Sequence, residues 1–348
     1  MEQESMLPVR KLNIQSVNHL ADILKIPPEK LRELSADPNL GYRPYHHHKP
    51  LRPFQKKARS APRQIDHPIE DLSWAQKRIN KRLLSLICFP DHIFGGIRHR
   101  SVLDNAEHHH NAALLVTIDV RQCFPSITNV HIYSVWKELL GCAPPVASLL
   151  TQLTTFERHL PQGAATSPLL ANLFIWMIDE PIRAASNVLG VAYSTWIDDL
   201  AFSGARAREL IEVAISTLAA HGLKVSRKKI KIMGPNEAKL ITGIRLGVRG
   251  TRAPREKLSR IRSGIHHFAL GAISDRDAER YLKGLVAQLR FLHQLCQKDA
   301  ISYAAKLRDV TRGRFLSVSD QKFLTAAAPV RDLHKKRRVF RAPLQCSR

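Results

Sequence analysis

Two short apolar runs, Val191 to Ile197 and Leu200 to Ser203, are separated only by Asp198 and Asp199. Runs of this length and composition predict strands, and so close a spacing predicts a β-hairpin. A two-residue hairpin loop favours Asn-Gly or Asp-Gly, because those residues tolerate positive φ. Asp-Asp gives up that advantage and sets two like charges side by side, the kind of broken local rule that collects at functional sites. A divalent cation removes the repulsion, and hard carboxylate oxygens suit Mg2+. Taken alone, the segment also reads as a solvated acidic turn.

A second carboxylate position changes the balance. Asp119 closes another apolar run, Leu114 to Ile118, which predicts a strand buried on both faces. One carboxylate from a strand end and two from a turn are what a two-metal site needs. Ions ~3.5–4 Å apart clamp the attacking and leaving oxygens of an in-line phosphoryl displacement. The chain carries 54 Lys and Arg against 30 Asp and Glu, a net charge of +24, so acids set on apolar strands are hard to explain as solubility. The same charge implies a polyanion partner, because neutralised phosphates release counterions.

Helices surround these strands. Leu20, Ile23 and Leu24 share a face before Pro27-Pro28, and Leu72, Ala75, Ile79, Leu83 and Leu84 mark another helix. Ile132, Val135, Trp136, Leu139 and Leu140 follow helical spacing up to Gly141, and Ile211 to Leu218 do so up to Gly222. Ser167-Pro168 predicts an N-cap followed by proline at the first helical position. The turn before it, Pro161-Gln162-Gly163, lets backbone approach a ligand and offers N–H groups to phosphate. Residues 41–68 read as a basic, proline-punctuated loop. From Pro254 the chain is helical and basic, ending in a basic tail. The whole is an α+β chain. At 348 residues with 44% hydrophobic content it is long enough for about two domains.

Other function classes recede. No apolar run reaches the ~18 residues of a membrane span, and the acidic N-terminus is unlike a signal peptide. Five scattered cysteines without a CxxC predict a reduced, cytoplasmic protein rather than a disulfide or zinc scaffold. The histidine runs at 46–48, 108–110 and 266–267 have no cysteine spaced to join them in a metal site; the first suits a loop that contacts RNA.

Taken together, these motifs resemble the reverse-transcriptase palm. The resemblance rests on Asp119 with Phe124-Pro125-Ser126-Ile127, on Pro161-Gln162-Gly163 with Ser167-Pro168 and Asn172, and on the Asp198-Asp199 hairpin, in that order. Further elements resemble the bacterial retron branch: Asn105-Ala106-Glu107-His108-His109, Ile241-Thr242-Gly243, and Arg63 to Pro68. The likeness runs from about residue 14 to 310. It departs at the hairpin, where the family usually has Tyr-Ala-Asp-Asp and this chain has Trp196-Ile197-Asp198-Asp199; the carboxylates are kept, and rate and template choice are the properties in question.

The resemblance implies a right-hand polymerase, with an N-terminal helical segment to residue 40, fingers at 41–110, palm at 111–240, helical thumb at 241–320 and a basic tail at 321–348. Its roles carry over residue by residue. Asp119, Asp198 and Asp199 bind two Mg2+ ions, with the Val120 carbonyl as a further ligand. Phe124 lies beneath the incoming sugar, Gln162 and Gly163 line the nascent pair, and Arg63 meets the triphosphate. Lys228 or its neighbour Lys229 faces pyrophosphate, Lys228 being the one taken here. Asn105, His109, Thr242, Gly243, Arg255 and Arg260 contact RNA. The implied partners are dNTPs, a structured noncoding RNA as template and primer, the RNA–DNA duplex product, and a separate effector protein in antiphage defence. The implied product is branched, RNA-linked DNA. Two alternatives stay open: another bacterial reverse transcriptase, of the intron-maturase or diversity-generating type, and an inactive RNA-binding scaffold. A maturase is expected to carry a further basic domain after the thumb.

Overall fold

The computed structural model describes residues 11–47, 62–247, 250–295 and 298–326. The chain clusters into two compact units, one of residues 1–101 with 112–235 and one of residues 102–111 with 236–348. The segment 102–111, expected with the fingers, thus belongs to the C-terminal unit.

In the first unit, β1 (Tyr42–His47) and β2 (Arg63–Pro68) pair antiparallel, with Tyr42 opposite Pro68 and His47 opposite Arg63. This corrects the expectation of a loop across 41–68, of which 48–61 lie outside the described residues. Most positions of β1 and β2 are exposed, so the apolar alternation that marks a strand is missing. The base of the pair is held by Tyr42, which is buried, lies 4.8 Å from the Phe156 ring and accepts a hydrogen bond from Gln76.

The main sheet follows. Its strands are β3 (Leu115–Arg121), β4 (Ala192–Trp196), β5 (Asp199–Ser203), β6 (Lys224–Val225) and β7 (Lys231–Met233). The order is β4-β5-β3-β6, with β7 also on β3, and every pairing is antiparallel. β3 is therefore central, as its apolar run predicts, though it continues past Asp119 to Arg121. Val116, Ile118 and Val120 turn into the core, while Thr117, Asp119 and Arg121 occupy the other face.

Helices cover the core face. Helix 167–178 is apolar nearly all round and is buried on almost every side chain. Thr166, not Ser167, is its N-cap residue; the Ser167 hydroxyl instead donates to the Pro161 carbonyl at 2.7 Å and ties the glycine turn to the helix. Helix 129–134 passes into a π-helical turn at 135–139, which lets Trp136 bury completely before Gly141 ends the run at φ +69°.

The second unit joins helix 102–108 to a small sheet and a set of helices. β8 (Leu240–Ile241), β9 (Ile244–Gly247) and β10 (Gly250–Arg252) lie in the order β10-β9-β8. Thr242 and Gly243 form the two-residue loop between β8 and β9, both at positive φ, as a type I′ turn requires. Helices at 255–269, 275–294, 298–311 and 318–325 complete the unit. The last occupies the start of the expected tail; 327–348 lie outside the described residues. Gly264 lets the first two helices approach, since a Cβ there would stand 2.8 Å from Leu285. No helix among the described residues is long and apolar enough to cross a membrane. Cys123 and Cys142 are free and buried.

Candidate active site

The β3–β5 ladder sets Asp119 directly opposite Asp199. Like charges in that relation destabilise a sheet, so the pairing needs a compensating cation. Asp198 precedes Asp199 in the turn, and its carbonyl accepts from the Val120 N–H at 2.8 Å. Trp196 pairs with Asp199, so the two loop residues are Ile197 and Asp198 rather than the two aspartates. Ile197 has φ +57°, a position that normally takes glycine in such a loop.

Electrostatics confirm the crowding. Desolvation, helped by Asp119, raises the Asp198 pKa; the charges of Arg63 and Lys229 oppose it. The Asp199 carboxyl is pushed up to about 6, first by desolvation and then by the charges of Asp198 and Asp119. Lys229 caps the cluster, its ammonium donating to both Asp119 oxygens at 2.8 and 3.1 Å. Among the described residues, no three His, Cys, Asp or Glu side chains form a ready-made metal cage. The donor set nevertheless fits a hard divalent cation: carboxylates from two strands and a turn repel one another, and one is already neutralised by a stand-in charge.

The other expected residues divide. Arg63, at the β2 end, is close enough to depress the Asp198 pKa. The Gln162 N–H donates to the buried Asp66 carboxylate at 3.0 Å, and the Gln162 carbonyl accepts from the Asp66 N–H at 2.8 Å. These bonds dock the Pro161–Gly163 turn on β2. Gly163 has φ +132° there, and a Cβ would meet Ile65 at 3.0 Å. Phe124 lies in a short helical turn just after β3, partly buried against the core. Lys228 is exposed, and it is Lys229, in the same turn at 227–229, that reaches Asp119.

In the second unit, Arg255 and Arg260 are exposed on helix 255–269 and border a groove of about 1150 Å³. Arg245, Lys257 and Arg280 also line it, against Glu256 and Asp277. Thr242 and Gly243 form the tight turn described above. Asn105 and His109, in and just after helix 102–108, are each only 1% exposed.

The order of the motifs, with Asp119, Asp198 and Asp199 gathered on one antiparallel sheet and its turn, agrees with the comparison that decides the family. Residues 54–246, more than half the chain, match the reverse transcriptase (RNA-dependent DNA polymerase) family. The chain belongs to that family. Curated relatives of this reverse transcriptase include the retron Ec86 reverse transcriptase of Escherichia coli, 28% identical over 305 residues, which are 86% of this chain and 92% of that protein. The retron Se72 enzyme of Salmonella heidelberg is 29% identical over 177 residues, 51% of this chain and 46% of that protein. The retron Mx162 enzyme of Myxococcus xanthus is 25% identical over 286 residues, 71% and 58% respectively. The chain thus spans about half the length of the last two. It is an RNA-directed DNA polymerase of the retron type.

One consequence of the buried His109 of this reverse transcriptase is measurable. Desolvation, with the His108 charge, lowers its pKa from 6.5 to about 3. Between those values the unfolded chain holds a proton that the folded chain refuses, so this contribution to stability is intact above pH 6.5 and falls as pH falls. From pH 6.5 to 5 the loss is about 2 kcal/mol, at 1.36 kcal/mol per unit. His109→Asn is expected to cost stability at pH 7 but to flatten its decline toward pH 5, read as urea midpoints. Parallel declines in the two proteins would exclude the assignment.

Proposed function

We propose that this reverse transcriptase copies part of a structured noncoding RNA into single-stranded DNA by two-metal nucleotidyl transfer. Synthesis starts from an internal 2′-hydroxyl, so RNA and DNA remain joined at a branch. The observation that carries the reading is the meeting of Asp119, Asp198 and Asp199 on the β3 and β5 strands and their turn. These three residues would hold two Mg2+ ions, which lower the cost of charge on the attacking and leaving oxygens when bound.

The chain's own residues supply the rest. The primer hydroxyl attacks the α-phosphate of a dNTP, and pyrophosphate departs. Arg63, whose field already reaches Asp198, is suited to the triphosphate through its forked guanidinium. Phe124, in the turn just after β3, would crowd the 2′-hydroxyl of an incoming nucleotide and so favour deoxynucleotides. Lys229, whose ammonium donates to both Asp119 oxygens, would turn to pyrophosphate if a cation took up that carboxylate. Gln162 and Gly163, held rigid by Asp66, form a floor for the nascent pair. The groove bordered by Arg245, Arg255, Lys257 and Arg260 suits an A-form backbone, which is read through its shape and phosphates. A separate effector protein and a role in antiphage defence complete the proposal, on the likeness to the retron enzymes.

Sequencing of nucleic acid co-purified with the protein tests the reading. The expected result is one RNA species joined to DNA at a branched guanosine, with the DNA complementary to part of that RNA. Linear cDNA made from many unrelated templates would exclude the retron product and favour another class of reverse transcriptase.

A further inference from the structure

Ile197 needs an external reason to hold φ +57°. Positive φ at a β-branched residue is an outlier, and it persists only where the surroundings fix it. The surroundings here are the segment 92–96, which runs along the outer edge of β4. Ile93 forms a parallel bridge to Thr195. The Thr195 N–H donates to the His92 carbonyl at 2.7 Å, and the Phe94 N–H donates to the Thr195 carbonyl at 2.9 Å. Gly95 then meets the turn itself. A Cβ at Gly95 would stand 2.6 Å from Ile197 Cγ1, 2.7 Å from Ile197 N and 3.0 Å from the Trp196 carbonyl carbon. Two of those three atoms are backbone and cannot swing aside.

The segment is fastened on its far side as well. The buried Asn172 amide donates to the Gly95 carbonyl at 2.5 Å. The His92 ring meets the buried Asp179 carboxylate at 2.9 Å, and the Arg100 guanidinium donates to the carbonyls of Phe89, Pro90 and Ile93. A rigid backbone strip therefore presses on the one loop that carries Asp198. The geometry points to Gly95 as a positioning residue: residues 92–95 clamp the hairpin turn and so aim the Asp198 carboxylate. This rests on the assignment of Asp198 to the catalytic set.

The full chain is tested on poly(rA)/oligo(dT) with dTTP over a range of Mg2+ concentrations, beside duplex binding and thermal melting. Gly95→Ala is expected to bind the duplex within twofold of wild type, to lose at least tenfold in kcat, and to need at least threefold more Mg2+ for half-maximal rate. Wild-type kcat and Mg2+ requirement in Gly95→Ala, with Asp198→Asn inactive, would overturn the clamp and leave the Asp198 assignment standing. An active Asp198→Asn would overturn the assignment and the clamp with it. Should Gly95→Ala fail to fold, His92 carries the test without adding bulk. His92→Ala is expected to lower kcat severalfold and raise the Mg2+ requirement, and His92→Gln, whose amide can reach Asp179, to restore most of both. Rate, binding and melting point that fall together in His92→Ala with an unchanged Mg2+ requirement mean a structural role only, and overturn the proposal.

Discussion

Asp198→Asn is expected to reduce dNTP incorporation at least about a thousandfold, roughly 4 kcal/mol of transition-state stabilisation, while duplex binding stays within about threefold. The substitution removes one negative charge and almost no volume. Asp198 sits in the turn, and its link to β3 is made by its backbone carbonyl, which asparagine keeps. The fold therefore has no reason to respond. The charge does, because desolvation and Asp119 already disfavour the ionised Asp198, a condition that a bound cation reverses. Stability should rise slightly, since one member of a repelling cluster is gone. Incorporation and duplex binding, measured side by side with Mg2+ present, check both halves. Loss of binding in step with activity would mean that Asp198 holds the fold rather than the chemistry.

Three strands of the main sheet were legible because each is short, apolar and bounded by breaks in pattern. Leu114–Ile118 predicted β3 and the two runs around the aspartates predicted β4 and β5, each within a few residues of the observed bounds. The hairpin was misplaced by one residue, because turn chemistry argues for aspartate in the loop while pairing of Trp196 with Asp199 puts Ile197 there. β1 and β2 were invisible for the opposite reason: main-chain hydrogen bonds hold two mostly exposed strands that bury little. Spacing could not separate Lys228 from Lys229, since only the shape of their turn decides which side chain faces Asp119. The resemblance assigned Asn105 and His109 to RNA contact, and both side chains are buried. A polar side chain in a core is not distinguishable from one at a surface by its identity alone. Nothing in the sequence marked residues 92–95 or Asp179, whose importance arises from tertiary contacts between segments far apart in the chain.

Asp179→Ala is expected to destabilise the protein by about 3–5 kcal/mol, the usual cost of removing one partner from a buried ionic group. Asp179 is fully buried at the end of helix 167–178. One oxygen accepts from Arg183 Nε at 2.7 Å; the other meets His92 at 2.9 Å and accepts from the Tyr193 hydroxyl at 3.3 Å. Alanine removes the Asp179 contacts of Arg183 and of the Tyr193 hydroxyl in a buried site. Burial, with the Asp179 charge, raises the Tyr193 pKa far above its ordinary value. Asp179→Asn keeps the shape and part of the hydrogen bonding, and its cost should be smaller, about 1–3 kcal/mol. Urea unfolding of the full chain reads both values. A cost below about 1 kcal/mol for alanine would mean that water enters and solvates Arg183, and that the carboxylate is not the keystone between helix 167–178, His92 and β4. The larger loss would tie the stability of the first unit to the contact that also anchors the segment against the Asp198 turn: His92 grips Asp179 with its ring while its carbonyl accepts from the Thr195 N–H, three residues before Asp198.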